Sequence, residues 1–547
     1  MPSLERTTQA VVPEHAGPTP KALPRQNLSA LIIIVAGLAI RFLMAGSYFL
    51  DPDEALHNLL ASHSSLALTW KAALTQAHPP LLIFLLHALH RMGNSELILR
   101  TPMILCGIGC AWLTYLWLKR IANESIAWMG LLLLTFAPSL IELSIEVRQY
   151  ALLLFFMAGC LYLSERALQE NSLLCMGLFS FSLYGALLSH YSSFLFAAIM
   201  GVYLLVRLFP YRQRLSLFLV WGLGQAVALG ICIYFLVTHV SKLKLEGMAQ
   251  GIADTWLRRS IYHPGENSLL IFPFRQTLRV FTYLFSHGLI GSLALLAFPF
   301  GIAFLLRRKF ARKGSGPTAR QTALLIGLPF VLNCAVAIAG LYPYGGTRHN
   351  ALLSLFAIAG IAFGLAAWSP NREWIKPGIV LTALFVCNVF PSPPPLIRAR
   401  NHKRVLMEAA ISDLRREAAP GSTILADYES GLLLGYYLCG QGVVQDLPPY
   451  EPFSKASCGP YTVISAFPGE WKFYGATLQE RVQSAAQMYA LAPGSRVWFF
   501  DAGWIEDSTP EIRPALRKMG CDNPQMFGQN VLFCKLTVGT RAERQAQ

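Results

Sequence analysis

An acidic segment follows the first long apolar stretch of the chain: Asp51-Pro52-Asp53-Glu54-Ala55-Leu56-His57. Three carboxylates within four positions repel one another, which raises the pKa of at least one of them unless a cation lies among them. A carboxylate beside an apolar cavity suits a general base that takes a proton from an acceptor hydroxyl. The alternative is an ordinary acidic helix start, in which Asp51 or Asp53 caps the first turn. His57 is interpreted as structural, with substrate contact as its alternative role.

A second polar segment, Ser144 to Tyr150, lies at the end of a later apolar stretch. Arg148 is a good anion ligand there, because a guanidinium offers a planar fork that matches phosphate oxygens. Glu146 and Arg148 can equally form an ordinary ion pair at a membrane interface. Glu146 and Tyr150 are carried as candidate substrate contacts beside Arg148.

The third polar segment reads Tyr342-Pro-Tyr-Gly-Gly-Thr-Arg-His-Asn350. Its two glycines allow a tight turn whose backbone N–H groups can approach an anion. Arg348 is a second candidate phosphate ligand, and Tyr344 and His349 are candidate substrate contacts. A plain turn between two helices, with Arg348 reaching for lipid headgroups, is the alternative. The segment is no P-loop, because the Lys-Ser/Thr pair is missing.

Two further histidines stand at breaks between apolar stretches. His78 precedes two prolines. The first proline favours an extended backbone at His78, and the prolines can form the first turn of the next helix. Its role is either substrate contact or a structural turn. His190 is interpreted as structural. Arg41, inside the first apolar stretch, either reaches outward to headgroups or faces a cavity.

The composition indicates which kind of protein holds these polar residues in place. The 547 residues are 54% hydrophobic and only 14% charged, against about a quarter charged in soluble domains. A soluble enzyme and a disordered protein are therefore excluded. The net charge of +15 is better explained by basic loops beside membrane helices than by nucleic-acid binding. About eleven apolar segments approach the roughly 20 residues that span a bilayer: 28–46, 99–118, 125–143, 149–166, 172–188, 191–209, 215–238, 279–306, 321–341, 349–368 and 376–391.

The short apolar segment 79–92 decides the orientation. It is too short to span, and it carries two histidines and an arginine. If it lies on the surface, the basic clusters near 119–120, 166, 207–214, 307–320 and 372–376 all fall on one side of the membrane. Because basic loops stay in the cytoplasm, we expect a disordered cytoplasmic tail at 1–27, a transmembrane domain at 28–391 and an outer loop at 47–98 that carries juxtamembrane helices.

The composition changes after the Pro-rich segment near 391–396. Helical periodicity at 405–417, strands at Thr423–Ala426 and Val497–Phe500, and helices near 476–490 and 510–519 predict a small α/β domain at 396–547 on the outer side. The expected fold is thus mainly α: a polytopic membrane protein with a C-terminal α/β extracytoplasmic domain.

Four of the eleven cysteines lie in this last domain: Cys439, Cys458, Cys521 and Cys534. On the oxidising side of a membrane they can form two disulfides. Four cysteines allow three pairings, of which Cys439–Cys458 and Cys521–Cys534 join the nearest neighbours in sequence. No Cys-x-x-Cys spacing that would favour zinc occurs in the sequence. No cofactor is predicted to be required, and a divalent metal stays an open alternative that no sequence feature supports.

The motifs DPDEALH, HPPL, LRTP, IEVRQYALL and YPYGGTRHN, in this order, resemble the GT-C integral-membrane glycosyltransferases. The branch with these motifs contains the bacterial relatives of dolichyl-phosphate-mannose-protein mannosyltransferases, glycosyltransferase family 39, together with the aminoarabinose transferases. The resemblance covers roughly residues 28–370.

The resemblance implies a polyprenyl-phosphate-linked sugar as donor, used at the outer face of the cytoplasmic membrane. It implies that Asp53 is the base, with Glu54 beside it and Asp51 as an additional acid. Arg148 and Arg348 would then hold the donor phosphate. The acceptor would be a hydroxyl of a glycan, lipid or protein, attacked with inversion at the anomeric carbon, and nucleic acid is no partner.

The alternative function is a polytopic transporter or lipid flippase of the cell envelope. Such a protein would have internal repeats and ionisable residues near the middle of the membrane. The sequence has no clear repeat, and its conspicuous charges collect at the predicted outer face. We therefore expect a glycosyltransferase in the cytoplasmic membrane with its N-terminus in the cytoplasm.

Overall fold

A computed structural model of the chain describes residues 25–209, 214–245, 254, 257–307, 315–368, 374–390, 403–440, 453–466, 475–502, 508–521, 523–528 and 531–539. The predicted tail up to residue 24, most of the basic loop 307–320, Arg372 and the Pro-rich segment 391–402 lie outside the described residues. The first helix begins at Arg25, within the predicted tail.

The described residues up to Val389 form helices, which are numbered here in chain order. They are α1 (Arg25–Ala45), α2 (Pro52–Ala61), α3 (Leu66–Ala73), α4 (Leu81–Leu89), α5 (Glu96–Ile121), α6 (Glu124–Phe136), α7 (Pro138–Ile145), α8 (Tyr150–Glu170), α9 (Leu173–Ser189), α10 (Ser193–Leu208), α11 (Leu215–Phe235), α12 (Ser241–Leu245), α13 (Ile271–Phe285), α14 (Gly288–Arg307), α15 (Ala319–Ile338), α16 (Leu353–Ala367) and α17 (Ile375–Val389). A π-helical turn (Leu236–Val240) joins α11 to α12, and 3₁₀ turns occupy Arg258–Ser260 and Arg348–Asn350.

The apolar helices make this a multi-pass membrane protein. Within the described residues, six continuous helices are long and apolar enough to cross: α1, α5, α8, α11 with its extension to α12, α14 and α15. The pair α6 and α7 adds a seventh span if it is counted as one. The apolar helices α9, α10, α16 and α17 have only 15 to 17 residues. Each predicted segment thus contains a helix, and the crossing of these four stays a prediction.

Two of the predicted spans are interrupted. Pro138 has no N–H to continue the helical hydrogen bonds, and α6 and α7 meet there at an angle of 55°. The prediction of one span over 279–306 is wrong, because α13 ends at Ser286, which has a left-handed φ of 48°. A left-handed residue ends a helix, and apolarity alone does not reveal it. The membrane-spanning part of this segment is α14.

One end of the helical bundle gathers α1 and α5. Arg100, in the first turns of α5, donates hydrogen bonds to the carbonyls of Ala45 at 2.6 Å and Tyr48 at 2.8 Å, where α1 ends. The segment 46–95 therefore leaves and re-enters the bundle at the same end. Its three short helices, α2, α3 and α4, pack against one another there.

The opposite end of the bundle carries basic residues. Arg120 pairs with Glu170 at 2.7 Å, which joins α5 to α8. Arg207 pairs with Glu165 at 2.8 Å and donates to the carbonyl of Ser315 at 2.9 Å. Both side chains of the Arg207–Glu165 pair are almost fully buried, so they fix α10 to α8 at that end.

The C-terminal domain is a small α/β unit, as predicted. It contains α18 (Arg404–Glu417), β1 (Thr423–Ala426), α19 (Tyr428–Tyr437), β2 (Phe453–Cys458), β3 (Tyr461–Ala466), α20 (Gly475–Met488), β4 (Arg496–Ala502), α21 (Ser508–Lys518), β5 (Gln525–Phe527) and β6 (Val531–Thr537). The described strands form one sheet in the order β2-β3-β1-β4-β6-β5. Strand β1 is parallel to β3 and β4, and the other pairs are antiparallel. Besides the two predicted strands, the sheet contains β2, β3, β5 and β6.

Two disulfides stabilise this domain. Cys439 is joined to Cys458 across Cα atoms 4.3 Å apart, and Cys521 to Cys534 across 6.1 Å. These are the pairings of nearest neighbours in sequence. The other seven cysteines are free, and all of them belong to the membrane helices.

The C-terminal domain rests on the segment 46–95 through α19, which packs against α2. The Leu50 N–H donates to the hydroxyl of Tyr437 at 2.8 Å, and that hydroxyl donates to Glu96. Tyr436 donates to the carbonyl of Asn94 at 2.6 Å. Both ends of the segment 46–95 are thereby bonded to one helix of the domain.

Candidate active site

The acidic segment opens α2 with a capping box. The side chain of Asp51 accepts from the Asp53 N–H at 3.0 Å, and the side chain of Glu54 accepts from the Asp51 N–H at 2.8 Å. This reciprocal pattern satisfies N–H groups that have no partner within the helix. Asp51 and Glu54 thus hold the helix start, and Asp53 projects away from it.

Glu54 is buried, with only 1% of its side chain exposed. Its two oxygens accept from the Nε and Nη2 of Arg100 at 2.9 and 2.7 Å, and one of them also accepts from the Val147 N–H at 2.7 Å. Such a bidentate pair fixes geometry as well as charge. Glu54 therefore connects the start of α2 to α5 and to the turn that carries Arg148.

Asp53 is the meeting point of the three polar segments. Its carboxylate pairs with Arg148 and accepts from the Nη2 of Arg348 at 3.2 Å. The Nη1 of Arg348 also lies 3.8 Å from Glu146. Arg148 has 6% of its side chain exposed, whereas Asp53 and Glu146 have 21% and Arg348 has 33%. The site is thus partly open, with Arg148 behind it and Arg348 at its mouth.

Glycines position Arg348. Gly345 has a φ of 144°, a conformation that L-residues with a side chain rarely adopt, and a Cβ on Gly346 would lie 2.5 Å from the carbonyl oxygen of Arg279. Asn350 donates to the Gly345 carbonyl at 3.0 Å and so closes the turn. The turn is therefore tight because only glycine fits there, and Arg348 follows it in the 3₁₀ turn.

The pKa values of the two half-buried carboxylates, Asp53 and Glu146, differ in the direction of their shift. Burial by itself raises the pKa of Asp53, but the guanidinium groups of Arg148 and Arg348 outweigh it and hold that pKa below its usual value. Burial raises the pKa of Glu146 to about 7, against the attraction of Arg348. Asp53 is thus ionised at neutral pH, while Glu146 titrates there.

Beside the arginines lies a cluster of four rings, here called the ring cluster: His78, Tyr150, His190 and His349. The ring centroids of His78 and His190 are 5.2 Å apart, as are those of Tyr150 and His190. His349 lies 6.2 Å from both Tyr150 and His190. The predicted contact residues His78, Tyr150 and His349 are therefore neighbours, although they come from three distant segments.

Two of the candidate contacts have other partners. Tyr344 is buried, and its hydroxyl shares a 2.6 Å hydrogen bond with Thr277 in α13, which supports the turn. His57 is bonded through Nδ1 to the carbonyl of Val147 at 3.0 Å. Burial lowers the pKa of His57 to about 4, so its ring is neutral.

Two residues have roles that the sequence did not indicate, and the structure decides between the two alternatives for a third, Arg41. Arg100 bonds Glu54, and the only signal was an arginine at the start of an apolar run. His190 belongs to the ring cluster, and its signal was a polar residue between two apolar segments. Arg41 faces the bundle: it is buried and donates to Ser144 at 2.7 Å and to the Thr135 carbonyl at 2.8 Å. It bonds α6 and α7 on both sides of their Pro138 break.

Among the residues that the structure describes, no group of three or more His, Cys, Asp and Glu is arranged to hold a metal ion. The carboxylate of Asp53 is instead paired with two arginines within the site.

Comparisons with known proteins agree with this architecture. The crystal structure of ArnT from Cupriavidus metallidurans bound to undecaprenyl phosphate superposes with a TM-score of 0.54 at 14% identity, covering 93% of this chain and 98% of ArnT. The chain has the fold of a GT-C membrane glycosyltransferase. The apo state of the same ArnT gives a TM-score of 0.51 at 12% identity, covering 94% and 99% of the two chains. The predicted fold class is therefore confirmed.

Two further comparisons cover the chain less completely. The family model described as dolichyl-phosphate-mannose-protein mannosyltransferase matches residues 77–237, which include His78, Arg148 and His190. The archaeal oligosaccharyltransferase AglB from Archaeoglobus fulgidus has a TM-score of 0.47 at 10% identity, covering 87% of this chain and 69% of AglB, too low to support an argument. No curated protein sequence matches the chain.

Proposed function

We propose that the chain is an inverting glycosyltransferase that moves a sugar from a polyprenyl-phosphate-linked donor to an acceptor hydroxyl of a glycan, lipid or protein. The observation that carries this proposal is the carboxylate of Asp53 between Arg148 and Arg348. The similar fold of an ArnT bound to undecaprenyl phosphate and the mannosyltransferase family match support it.

In the proposed reaction Arg148 and Arg348 bind the donor phosphate. The bond between the anomeric carbon and the phosphate oxygen breaks, and its electron pair leaves with the polyprenyl phosphate. The acceptor oxygen bonds to the opposite face of that carbon, and Asp53 takes its proton. Preorganised guanidinium groups stabilise the charge that develops on the leaving group.

The same arginines control the basicity of Asp53. Without donor they hold its pKa low, which makes a weak base. A donor phosphate competes with Asp53 for both guanidiniums, so the carboxylate becomes more basic as the donor binds. Proton abstraction is thus coupled to the presence of the donor.

The proposal includes the location of the site at the outer face of the cytoplasmic membrane. The described basic residues Arg120, Arg166 and Arg207 belong to the opposite end of the bundle, which is the distribution expected of cytoplasmic ends. The two disulfides of the C-terminal domain agree with an oxidising compartment.

Substitution of Asp53 by Asn tests the proposal, with transfer of labelled sugar from polyprenyl-phosphate donors measured in membranes. We expect kcat to fall by about 10²–10⁴-fold, the usual contribution of a general base, while donor binding persists because both arginines remain. Asp413→Asn, on the surface of α18, is the matched control. Unchanged transfer by Asp53→Asn would exclude Asp53 as the base. A wild-type chain that translocates the lipid and transfers no sugar would favour the transporter.

A further inference from the structure

The ring cluster lies directly beside the charged site. Arg148 precedes Tyr150 by two residues, and Arg348 is adjacent in sequence to His349. The centroids of its four rings are separated by 5.2 to 6.2 Å along the contacts His78–His190–Tyr150–His349. A group attached to a phosphate held by Arg148 and Arg348 would therefore lie next to these rings.

The cluster presents polar atoms without partners. Among the described residues, the Nδ1 atoms of His78 and His349, the hydroxyl of Tyr150 and the Nε of Arg148 are all buried and make no hydrogen bond. Tyr150 is fully buried and Arg148 is 5% exposed. Buried polar groups are nearly always bonded, and each one left unpaired costs free energy. Four such atoms in one place indicate a site for a ligand rich in hydroxyls.

The histidines carry no charge. Burial lowers the pKa of His190 to about 3, and the neighbouring Arg148 adds to that effect. The pKa values of His78 and His349 are also well below the usual value, again because of burial and neighbouring positive groups. A neutral imidazole offers one donor and one acceptor, which is suited to hydroxyl groups.

The surrounding charges disfavour a charged sugar. A cationic amino group on a sugar in the ring cluster would lie near the guanidinium groups of Arg148 and Arg348, and the cluster itself contains only imidazole and phenol rings. An anionic sugar would compete with the donor phosphate for the same two guanidiniums. Neither kind of charge gains a partner in the ring cluster itself.

We propose that His78, Tyr150, His190 and His349 bind the sugar ring of the donor, and that this sugar is neutral, a hydroxylated hexose or pentose without amino or carboxyl groups. The inference rests on the proposed function, since it assumes a lipid-phosphate donor at Arg148 and Arg348. It adds the chemical class of the sugar and gives His190 a role in specificity. The imidazole and phenol groups bond the hydroxyls, and the ring faces pack on the apolar face of the sugar.

The experiment compares the dissociation constants of four lipids for the purified full chain. The lipids are undecaprenyl phosphate alone and the same lipid bearing a neutral hexose, a 4-amino-pentose or a hexuronic acid. We expect the neutral sugar to tighten binding at least about ten-fold over the bare lipid, as one or two new hydrogen bonds to buried groups would. The amino and acidic sugars should give no comparable gain.

Two variants connect the gain to the cluster. His78→Phe and His349→Phe keep a ring and remove Nδ1, so the neutral sugar should lose most of its ten-fold gain. Binding of bare undecaprenyl phosphate should not change, which also shows that each variant is folded. His63→Phe, in the turn after α2 and outside the cluster, is the matched control and should bind all four lipids as the wild type does.

The outcomes separate the inference from the proposed function. If the bare lipid binds and the amino-sugar lipid binds as tightly as the neutral one, the neutral-sugar inference is overturned and the proposed function stands. The same holds if both His→Phe variants keep the full gain. If the wild-type chain does not bind undecaprenyl phosphate at all, the proposed function fails, and the inference fails with it.

Discussion

Asp53 and Glu146 share Arg348, yet their acidities are shifted in opposite directions. Asp53 pairs with two guanidinium groups, and their attraction exceeds the cost of burial. Glu146 lies 3.8 Å from only one of them, so burial dominates and raises its pKa to about 7. At the residue scale, direct pairing with both guanidinium groups keeps Asp53 ionised, whereas burial outweighs their weaker attraction at Glu146.

The raised pKa of Glu146 predicts a pH-dependent donor affinity. Below about pH 7 Glu146 is protonated and leaves Arg348 to the donor phosphate, whereas above it the carboxylate competes for that guanidinium. The dissociation constant of a polyprenyl-phosphate-linked sugar should therefore rise as the pH increases from about 6 to 8. Its phosphodiester lacks the second ionisation that a phosphate monoester has near pH 6. The dissociation constant can be measured by titration at each pH.

Glu146→Gln removes the competing carboxylate. This variant should bind the donor lipid from about pH 6 to 8 as tightly as the wild type does near pH 6. Glu266→Gln, at an exposed ion pair with Arg258, should keep the wild-type pH dependence. A wild-type affinity that does not vary over this range would contradict the competition between Glu146 and the phosphate.

At the element scale, the buried pair of Glu54 and Arg100 connects α2 to α5 and to the Val147 turn. The acidic start of α2 and its cap follow from local sequence, because the capping box involves residues three positions apart. The partner of Glu54 lies 46 positions away, so no local pattern identifies it. The element that positions Asp53 is therefore predictable, but its anchor is not.

Glu54→Gln should destabilise the fold severely, because it leaves the charge of Arg100 buried without a partner. We expect the free energy of unfolding to fall by about 3–5 kcal/mol, measured by thermal unfolding of the purified protein in detergent. Glu408→Gln, at an exposed ion pair with Arg404, should change it by less than about 1 kcal/mol.

The double variant Glu54→Gln, Arg100→Met should recover part of the loss, since it removes both buried charges. If the losses in the free energy of unfolding caused by Glu54→Gln and Arg100→Met simply add in the double variant, the two side chains do not stabilise the fold as a pair.

At the scale of the whole molecule, the C-terminal domain packs against the segment 46–95. Leu50, directly before the acidic segment, and Glu96, at the start of α5, both bond the hydroxyl of Tyr437. A contact of this kind makes the position of α2, and hence of Asp53, depend on the folded C-terminal domain. The domain boundary near residue 391 follows from composition, whereas this contact follows from packing alone.

Tyr437→Phe should loosen this contact while keeping the ring. Loss of the hydroxyl leaves the Leu50 N–H without its partner, so we expect a loss of about 1–3 kcal/mol in stability and faster hydrogen exchange in residues 47–61. Mass spectrometry of deuterated peptides measures the exchange in this segment. Tyr461→Phe, whose hydroxyl bonds Arg415 at the exposed side of the sheet, is the control. Unchanged exchange in residues 47–61 would show that this contact with the C-terminal domain does not hold the segment that contains Asp53.

The proposed orientation predicts the location of the C-terminus. A phosphatase fused after Gln547 should be active, because that enzyme needs an oxidising compartment, and a fluorescent reporter that folds only in the cytoplasm should stay dark. A fusion after Lys119, at the basic end of α5, should give the opposite result. An inactive phosphatase at Gln547 would reverse the orientation.

The sequence by itself determined the class of the protein, the segments that become its apolar helices, the α/β character of its last domain and the motif residues Asp53, Arg148 and Arg348. These follow from composition, apolar length and residue chemistry, which are local along the chain. Only the tertiary structure decided the partners: Asp53 meets Arg348 from 295 positions away, Glu54 meets Arg100, and His190 joins the ring cluster. The physical reason is that burial and ion pairing depend on how distant helices pack, which local periodicity does not encode.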